Sequence, residues 1–450
     1  MSYARTAVAV MLALGLSGCG FFSSGDPDDG STIKVAYQKY GGFIQVDHHL
    51  KQIKAQFEKE HPDKTVELIP IEASENDYYA KLNLMQRSEA TAPDVLYEDT
   101  FLIDSDIEAG YLTPLDGYLA EWDEWTQYYE SAKRSVQGLD GKTYGVPMGT
   151  DTRALWYNKE LFRQAGLPVP WQPKTWDDVL SAARTIKQQV PGVIPLNVYS
   201  GKPAGEASTM QGFEMLLYGT GDELYDDGSK KWIAPSAGFA DALSFVQTVY
   251  QEGLGPQVQQ ALDPNVGSVV AGQWLPQGEL AINLDGSWLP HTWIPTGDRP
   301  WPEWNKVMGY APMPTQNGQG EGSTSMSGGW ALSVGSKSAD PDLAWDFISL
   351  ALNEQNSTEW IKLASEIPVR RDVAAKPEYL QSNPTAKFFS DLVSVTNYRP
   401  ALPPYAKISF EIQVAMESVM SGQATPEEAM SEYVAELQGI VGEQKVATGS

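Results

Sequence analysis

The feature that most constrains this chain is how its hydrophobic period changes between residues 33 and 97. Ile33 to Tyr37 alternates with the period of a strand, and Val46, Leu50, Ile53 and Phe57 then recur at the spacing of one helix face, stopping before His61-Pro62. Thr65 to Ile71 reads as a second strand, Tyr79 to Arg87 as a second helix and Pro93 to Tyr97 as a third strand. Strands that alternate with helices need right-handed crossovers, and these place helices on both faces of a sheet. The expected fold class is therefore α/β, with a mostly parallel sheet. Asp140-Gly141 is a hairpin-turn signal ahead of Thr143 to Met148.

A second region of the same kind follows. Thr175 and Asp178 form a reciprocal capping box for a helix whose buried stripe is Val179, Ala183, Ile186 and Val190. Further helices are expected at Ala237 to Glu252, at Pro341 to Leu352 behind the cap Asp340, and at Ser409 to Met420. Another runs from Pro426 to Val441, with Thr425 as cap and Glu428 completing the box. Glycine and proline cluster at 286–329, and no repeat of solenoid period is present. The 450 residues suffice for two or three domains. The pattern gives two α/β units and a helix-rich C-terminal third.

The N-terminus reads as a targeting segment. Arg5 precedes an apolar run, Ala7 to Leu16, which is too short to span a bilayer roughly 30 Å thick. The run ends in Leu16-Ser17-Gly18-Cys19, and the chain has 1 cysteine in all. This resembles the lipobox of bacterial lipoproteins, in which the cysteine is lipidated and becomes the mature N-terminus; the alternative is a plain secretory signal. Residues 1–18 are thus expected to be a lipoprotein signal peptide. Residues 19–30, rich in Gly, Ser, Asp and Pro, are expected to form a tether. No later segment has the roughly 18 consecutive apolar residues of a membrane helix. With a single cysteine, no intramolecular disulfide can form.

Composition removes several functions. With 32 Lys+Arg against 58 Asp+Glu the net charge is -26, and no basic stretch offers the clustered cations that phosphate recognition requires. A nucleic-acid partner is excluded. The histidines His48, His49, His61 and His291 show no metal-binding spacing, and no cysteine pair exists for zinc, so no metal or cofactor is expected. Gly141-Lys142-Thr143 imitates the end of a phosphate loop, but Val136 stands where the leading glycine belongs. Gly318, Gly320 and Gly322 lie in a polar loop, not at a strand-to-helix turn. No G-x-S-x-G elbow is present. Paired carboxylates of a glycosidase stay open by residue type, because a sequence gives no separations. The 14 tryptophans exceed what a single core needs, which points to indole on a binding surface.

The order of fragments along the mature chain resembles the family 1 extracellular solute-binding proteins, receptors of sugar ABC importers. It runs from Ala92-Pro93-Asp94-Val95 and Ala109 to Asp116 through Tyr144-Gly145-Val146-Pro147, Leu155 to Phe162 and Thr175 to Asp178. Gly278 to Asn283, Gly286-Ser287-Trp288, Gly328-Gly329-Trp330 and Pro368-Val369-Arg370 complete it. The resemblance implies a two-lobe periplasmic-binding-protein fold of type II, its hinge crossed three times and its ligand in the cleft. The lobes would be residues 31–150 plus 329–352 and residues 151–328 plus 353–450. The crossings would fall near Gly149–Thr152, near Gly328–Trp330 and just after Leu352.

The same resemblance places Gln38 and Tyr40, after the first strand, and Glu98 and Asp99, after the third, at the ligand. It adds Asp151 at the first crossing, Trp288 and Trp330 as aromatic platforms, and Arg370 as a polar contact from the far lobe. Each residue also has a plainer reading: Asp99 as a helix N-cap, Asp151 as structural, the tryptophans as core, Arg370 as a surface charge beside Arg371. The chemistry is consistent with a pyranose, which presents an apolar C–H face and a rim of hydroxyls to a flat aromatic and a few fixed polar groups. The expectation is an extracytoplasmic, lipid-anchored, monomeric receptor. It would capture a neutral di- or oligosaccharide without chemical reaction and deliver it to ABC permease subunits. A receptor for a non-sugar solute and a secreted glycosidase are the alternatives. The polar stretch Gln316 to Ser327 is expected to be a loop that bears on access to the cleft.

Overall fold

The computed structural model describes residues 31–73 and 75–449. Cys19 and the segment 1–30, with the expected signal peptide, lipobox and tether, lie outside the described residues. The strands in chain order are β1 (Thr32–Lys39), β2 (Thr65–Glu72), β3 (Val95–Asp99), β4 (Val146–Pro147) and β5 (Arg153–Asn158). Next come β6 (Ile194–Asn197), β7 (Tyr225–Asp226), β8 (Lys231–Ile233), β9 (Leu280–Gly286) and β10 (Met308–Ala311). The last are β11 (Met313–Pro314), β12 (Ser323–Ser327), β13 (Trp330–Val334), β14 (Thr396–Tyr398) and β15 (Val446–Ala447).

Two helix-flanked sheets organise the molecule, one of order β2-β1-β3-β13-β4 and one of order β10-β5-β9-β6. The expectation of mostly parallel sheets is corrected. β1 pairs in parallel with β2 and β3, and β6 with β9, but β13 is antiparallel to β3 and β4, and β5 to β9 and β10. The reason lies in the crossings. β3 ends at the boundary between the sheets, whereas β13 and β5 begin there, so each must run against a neighbour that ends there.

The chain leaves the first sheet after β4, builds the second from β5 to β10, and re-enters the first at β13. The third crossing differs from expectation. The helix Glu354–Ala364 does not join the second lobe; Trp360, Ile361, Val373, Tyr379 and Ala386 pack with Val35, Tyr128 and Leu332 in the first lobe's core. Apart from Ile367 at the hinge, Phe389 and Leu392 are the next residues buried with the second lobe, against Trp156 and Trp293. The return thus falls some 35 residues after Leu352, between Ala386 and Phe389. The apolar face of Glu354–Ala364 fills the space beside the helix Gln45–Glu60, and burying Trp360 there contributes on the order of 2–3 kcal/mol.

Gln316 to Ser327 is also more ordered than a loop. β11 and β12 pair antiparallel, and Gln316 and Gln319 bond to Gly219 and Asp241 on the outer side of the second lobe. Among the described residues no helix is long and apolar enough to cross a membrane.

Candidate ligand-binding cleft

Parallel pairing sends the C-terminal ends of β1 and β3 to the same rim, and loops at such ends are where open α/β sheets meet ligands. Gln38, Tyr40, Tyr97 and Asp99 line the cleft from that rim, and β13 enters beside them with Trp330 opposite Asp99. The facing rim belongs to the second lobe. β5 starts and β9 ends there, pairing Arg153 with Gly286, so Arg153, Asp285 and Trp288 face the first lobe. The cleft holds about 1370 Å³ of empty space, the open solvent at its mouth included.

Gln38, Tyr40, Asp99, Asp151, Trp288 and Trp330 therefore meet in one cavity. Two expected residues do not. Alternation along β3 turns Tyr97 and Asp99 to the cleft and Glu98 to the opposite face, where it is fully buried beside Asp106. Arg370 sits within the first lobe under Tyr128, its guanidinium spent on Asp372 (2.6 Å), Glu124 (2.7 Å) and the Leu352 carbonyl (2.7 Å). It is 1 % exposed and bolts the Glu354–Ala364 region to that lobe. Asp372, two residues downstream, was the sequence signal for an internal partner.

Both tryptophans are braced by neighbouring groups, Trp330 by Tyr79 as well as Tyr97. Trp330 stacks on Tyr97 at 4.2 Å with 2° between the rings. Trp288 lies over Gly286, where any side-chain carbon would collide with its ring, and under the Arg153 guanidinium at 4.7 Å. Asp151 accepts from Arg153 Nη1 and from the Gly328 amide (2.9 Å), which ties the first crossing to the second.

Sequence reasoning missed the group that spans the cleft. Arg399 Nη2 donates to Asp99 Oδ1 of the first lobe (2.7 Å) and Nη1 to Glu206 Oε2 of the second (3.2 Å), over the face of Phe101 at 4.0 Å. Glu206 also accepts from Tyr405 (3.3 Å) and Ser409. Burial pushes the Asp99 carboxyl up to about 6, although the Arg399 guanidinium opposes it. Asp99 Oδ1 accepts from the Phe101 amide (3.2 Å) as well, but the helix that follows, Ile103–Glu108, starts behind Leu102 with no side-chain cap, so the capping reading does not hold. The sequence signal for Arg399 was faint: an arginine before Pro400 in a protein poor in cations.

Charge in the cleft is thus largely matched within the protein: Asp99 and Glu206 on Arg399, Asp151 on Arg153. Residues 47–358 match the model of a family described as bacterial extracellular solute-binding protein. The chain belongs to that family. This solute-binding protein is 23% identical over 437 residues to the galactooligosaccharide-binding protein of Bacillus subtilis (strain 168), covering 96% of this chain and 95% of that one. It is 22% identical over 454 residues to the maltodextrin-binding protein MdxE of the same organism, covering 97% of each. In fold it is similar to maltose-bound MalE3 of T. maritima, with TM-score 0.78 and 21% identity over 91% of this chain and 100% of that one. It therefore shares the two-lobe, type II architecture of such receptors.

Proposed function

We propose that this solute-binding protein captures a neutral di- or oligosaccharide between its lobes and hands it to the permease subunits of an ABC importer, anchored at the cell surface by lipid on Cys19. The observation that carries this is a cleft in which Trp330 and Trp288 share one cavity with a polar rim from both lobes. Aromatic faces suit the C–H side of a pyranose, and Gln38, Tyr40, Asp99 and Asp151 offer fixed partners for its hydroxyls. Ion pairs already satisfied within the protein suit an uncharged ligand. The relatives named for galactooligosaccharide and maltodextrin support the same substrate class.

The mechanism is recognition without reaction. We place the hinge at the crossings near residues 149–152, 328–330 and 386–389. Ligand that contacts both rims stabilises the closed arrangement by its differential affinity, and the permease reads that arrangement. Titration calorimetry with maltotriose, galactobiose, lactose and arabinobiose should yield at least one ligand with a dissociation constant of about 10 μM or tighter, near −7 kcal/mol. A best affinity no better than millimolar, or multiple turnovers of a chromogenic glycoside, would overturn the reading.

A further inference from the structure

Among the carboxylates that line the cleft, one has neither a cation nor more than a single hydrogen-bond donor. Asp99 and Glu206 meet Arg399, Asp151 meets Arg153, and Asp285 accepts from Tyr199 (2.8 Å), Asn283 (3.0 Å) and the Gly286 amide (2.7 Å). Glu366, which lines the same cavity, pairs with no lysine or arginine among the described residues. It sits at the hinge. The next residue, Ile367, exchanges both backbone hydrogen bonds with Thr150 (2.9 and 2.7 Å), and the Glu366 carboxyl lies against Gly149, where any side-chain carbon would strike it.

We propose that Glu366 reads a ligand hydroxyl as an uncharged carboxyl group, offering it a proton from the floor of the cleft. This rests on the sugar reading above. The geometry dictates where the proton sits. Trp360 Nε1 donates to Oε2 at 3.0 Å, and an indole is a donor only, so Oε2 must accept. A protonated Glu366 then carries its hydrogen on Oε1, the oxygen left free to meet the cavity it lines.

The charged and titratable groups facing Glu366 are Asp151, itself bonded to Arg153, and the Tyr97 hydroxyl. Burial, reinforced by the Asp151 charge, pushes the Glu366 carboxyl up to about 8, with the Trp360 bond opposing. A neutral donor avoids placing a second anion beside Asp151, and it gives a hydroxyl ligand a partner that acts as donor and acceptor at once.

Maltotriose and galactobiose are the probes, titrated calorimetrically into wild type, Glu366→Gln and Glu366→Ala from about pH 6 to about pH 9. If binding requires the proton, wild-type affinity is level to about pH 7 and falls toward tenfold per pH unit above about pH 8. Glu366→Gln keeps the pattern, with its amide oxygen toward Trp360 and its NH₂ toward the ligand. It should bind within about threefold of wild type at pH 6 and stay level to pH 9. Glu366→Ala should lose about tenfold or more at pH 6. A Gln variant that declines with pH as wild type does, or an Ala variant that binds as wild type does, overturns the role of Glu366 and leaves the sugar reading standing. If neither probe binds wild type at any pH, the inference is overturned for these ligands, while the sugar reading stands or falls on the full panel above.

Discussion

Glu214 shows what a single residue costs the cleft's support. It is 0 % exposed, Oε1 accepts from the Tyr405 hydroxyl (2.9 Å), and Oε2 has no partner among the described groups. Burial and the nearby Glu206 push its carboxyl up to about 8, against the pull of Arg399, Tyr405 and Arg153. An unfolded glutamate titrates near about 4.3, so between there and pH 8 the native protein holds a proton that the unfolded chain releases. The stability this carboxyl contributes is complete below about pH 4.3 and is lost as pH rises through about 8. Glu214→Gln keeps an oxygen for Tyr405 and removes the titration. Its melting temperature, relative to wild type, should rise by a few degrees between pH 5 and pH 8.5. A difference that does not vary with pH would mean that Glu214 titrates as an ordinary carboxyl. Site residues were legible unevenly for related reasons. Trp288 and Trp330 stand in Gly-rich segments at strand ends, so family order found them. Glu206 and Arg399 gain meaning only through partners some 200 to 300 residues away, and no local pattern encodes such a pairing.

At the scale of elements, the helix ends were the most legible. Thr175 with Asp178 and Thr425 with Glu428 form the reciprocal boxes in the structure, because capping is settled within four residues of chain. Strand direction was not, because β13 owes its antiparallel place to the return from the other lobe. Nor was the π-helical segment Ala207–Glu214, which carries Met210 and Gln211 to the cleft. π-turns of this kind concentrate at functional sites. Gly212 lets this one approach β6's exit: a side-chain carbon there would collide with the Tyr199 carbonyl oxygen and lie 3.0 Å from Met416 Cε. Gly212→Ala must displace the segment, costing about 1–3 kcal/mol. Thermal denaturation should show that loss, and calorimetry should show weaker sugar binding as Met210 and Gln211 shift. An unchanged melting curve would show that the segment has slack to spare.

At the scale of the whole molecule, the two lobes meet across the mouth. The Gly42 amide donates to Ser268 Oγ (3.3 Å), Gln45 to the His291 carbonyl (3.3 Å), and Phe43 sets its edge to His291 at 5.1 Å. These contacts are neutral, whereas Asp99–Arg399–Glu206 is a buried ionic bridge between lobes. Such a bridge adds little net stability over an apolar contact, but removing its cation is expensive, because two carboxylates are left facing one another away from water. Arg399→Ala should therefore disfavour the closed arrangement by about 3–5 kcal/mol, since opening lets water reach both carboxylates. Apparent affinity for the best sugar of the panel should fall by about 10²–10³, as binding must first restore closure. Small-angle scattering at saturating sugar should still show compaction, while the free variant should be more extended than free wild type. The cause can be separated from the loss of an arginine contact to ligand. Adding Asp99→Asn and Glu206→Gln to Arg399→Ala removes both stranded charges, and should return the free protein to wild-type dimensions. If the triple variant stays as extended as Arg399→Ala alone, charge pairing is not what holds the lobes together.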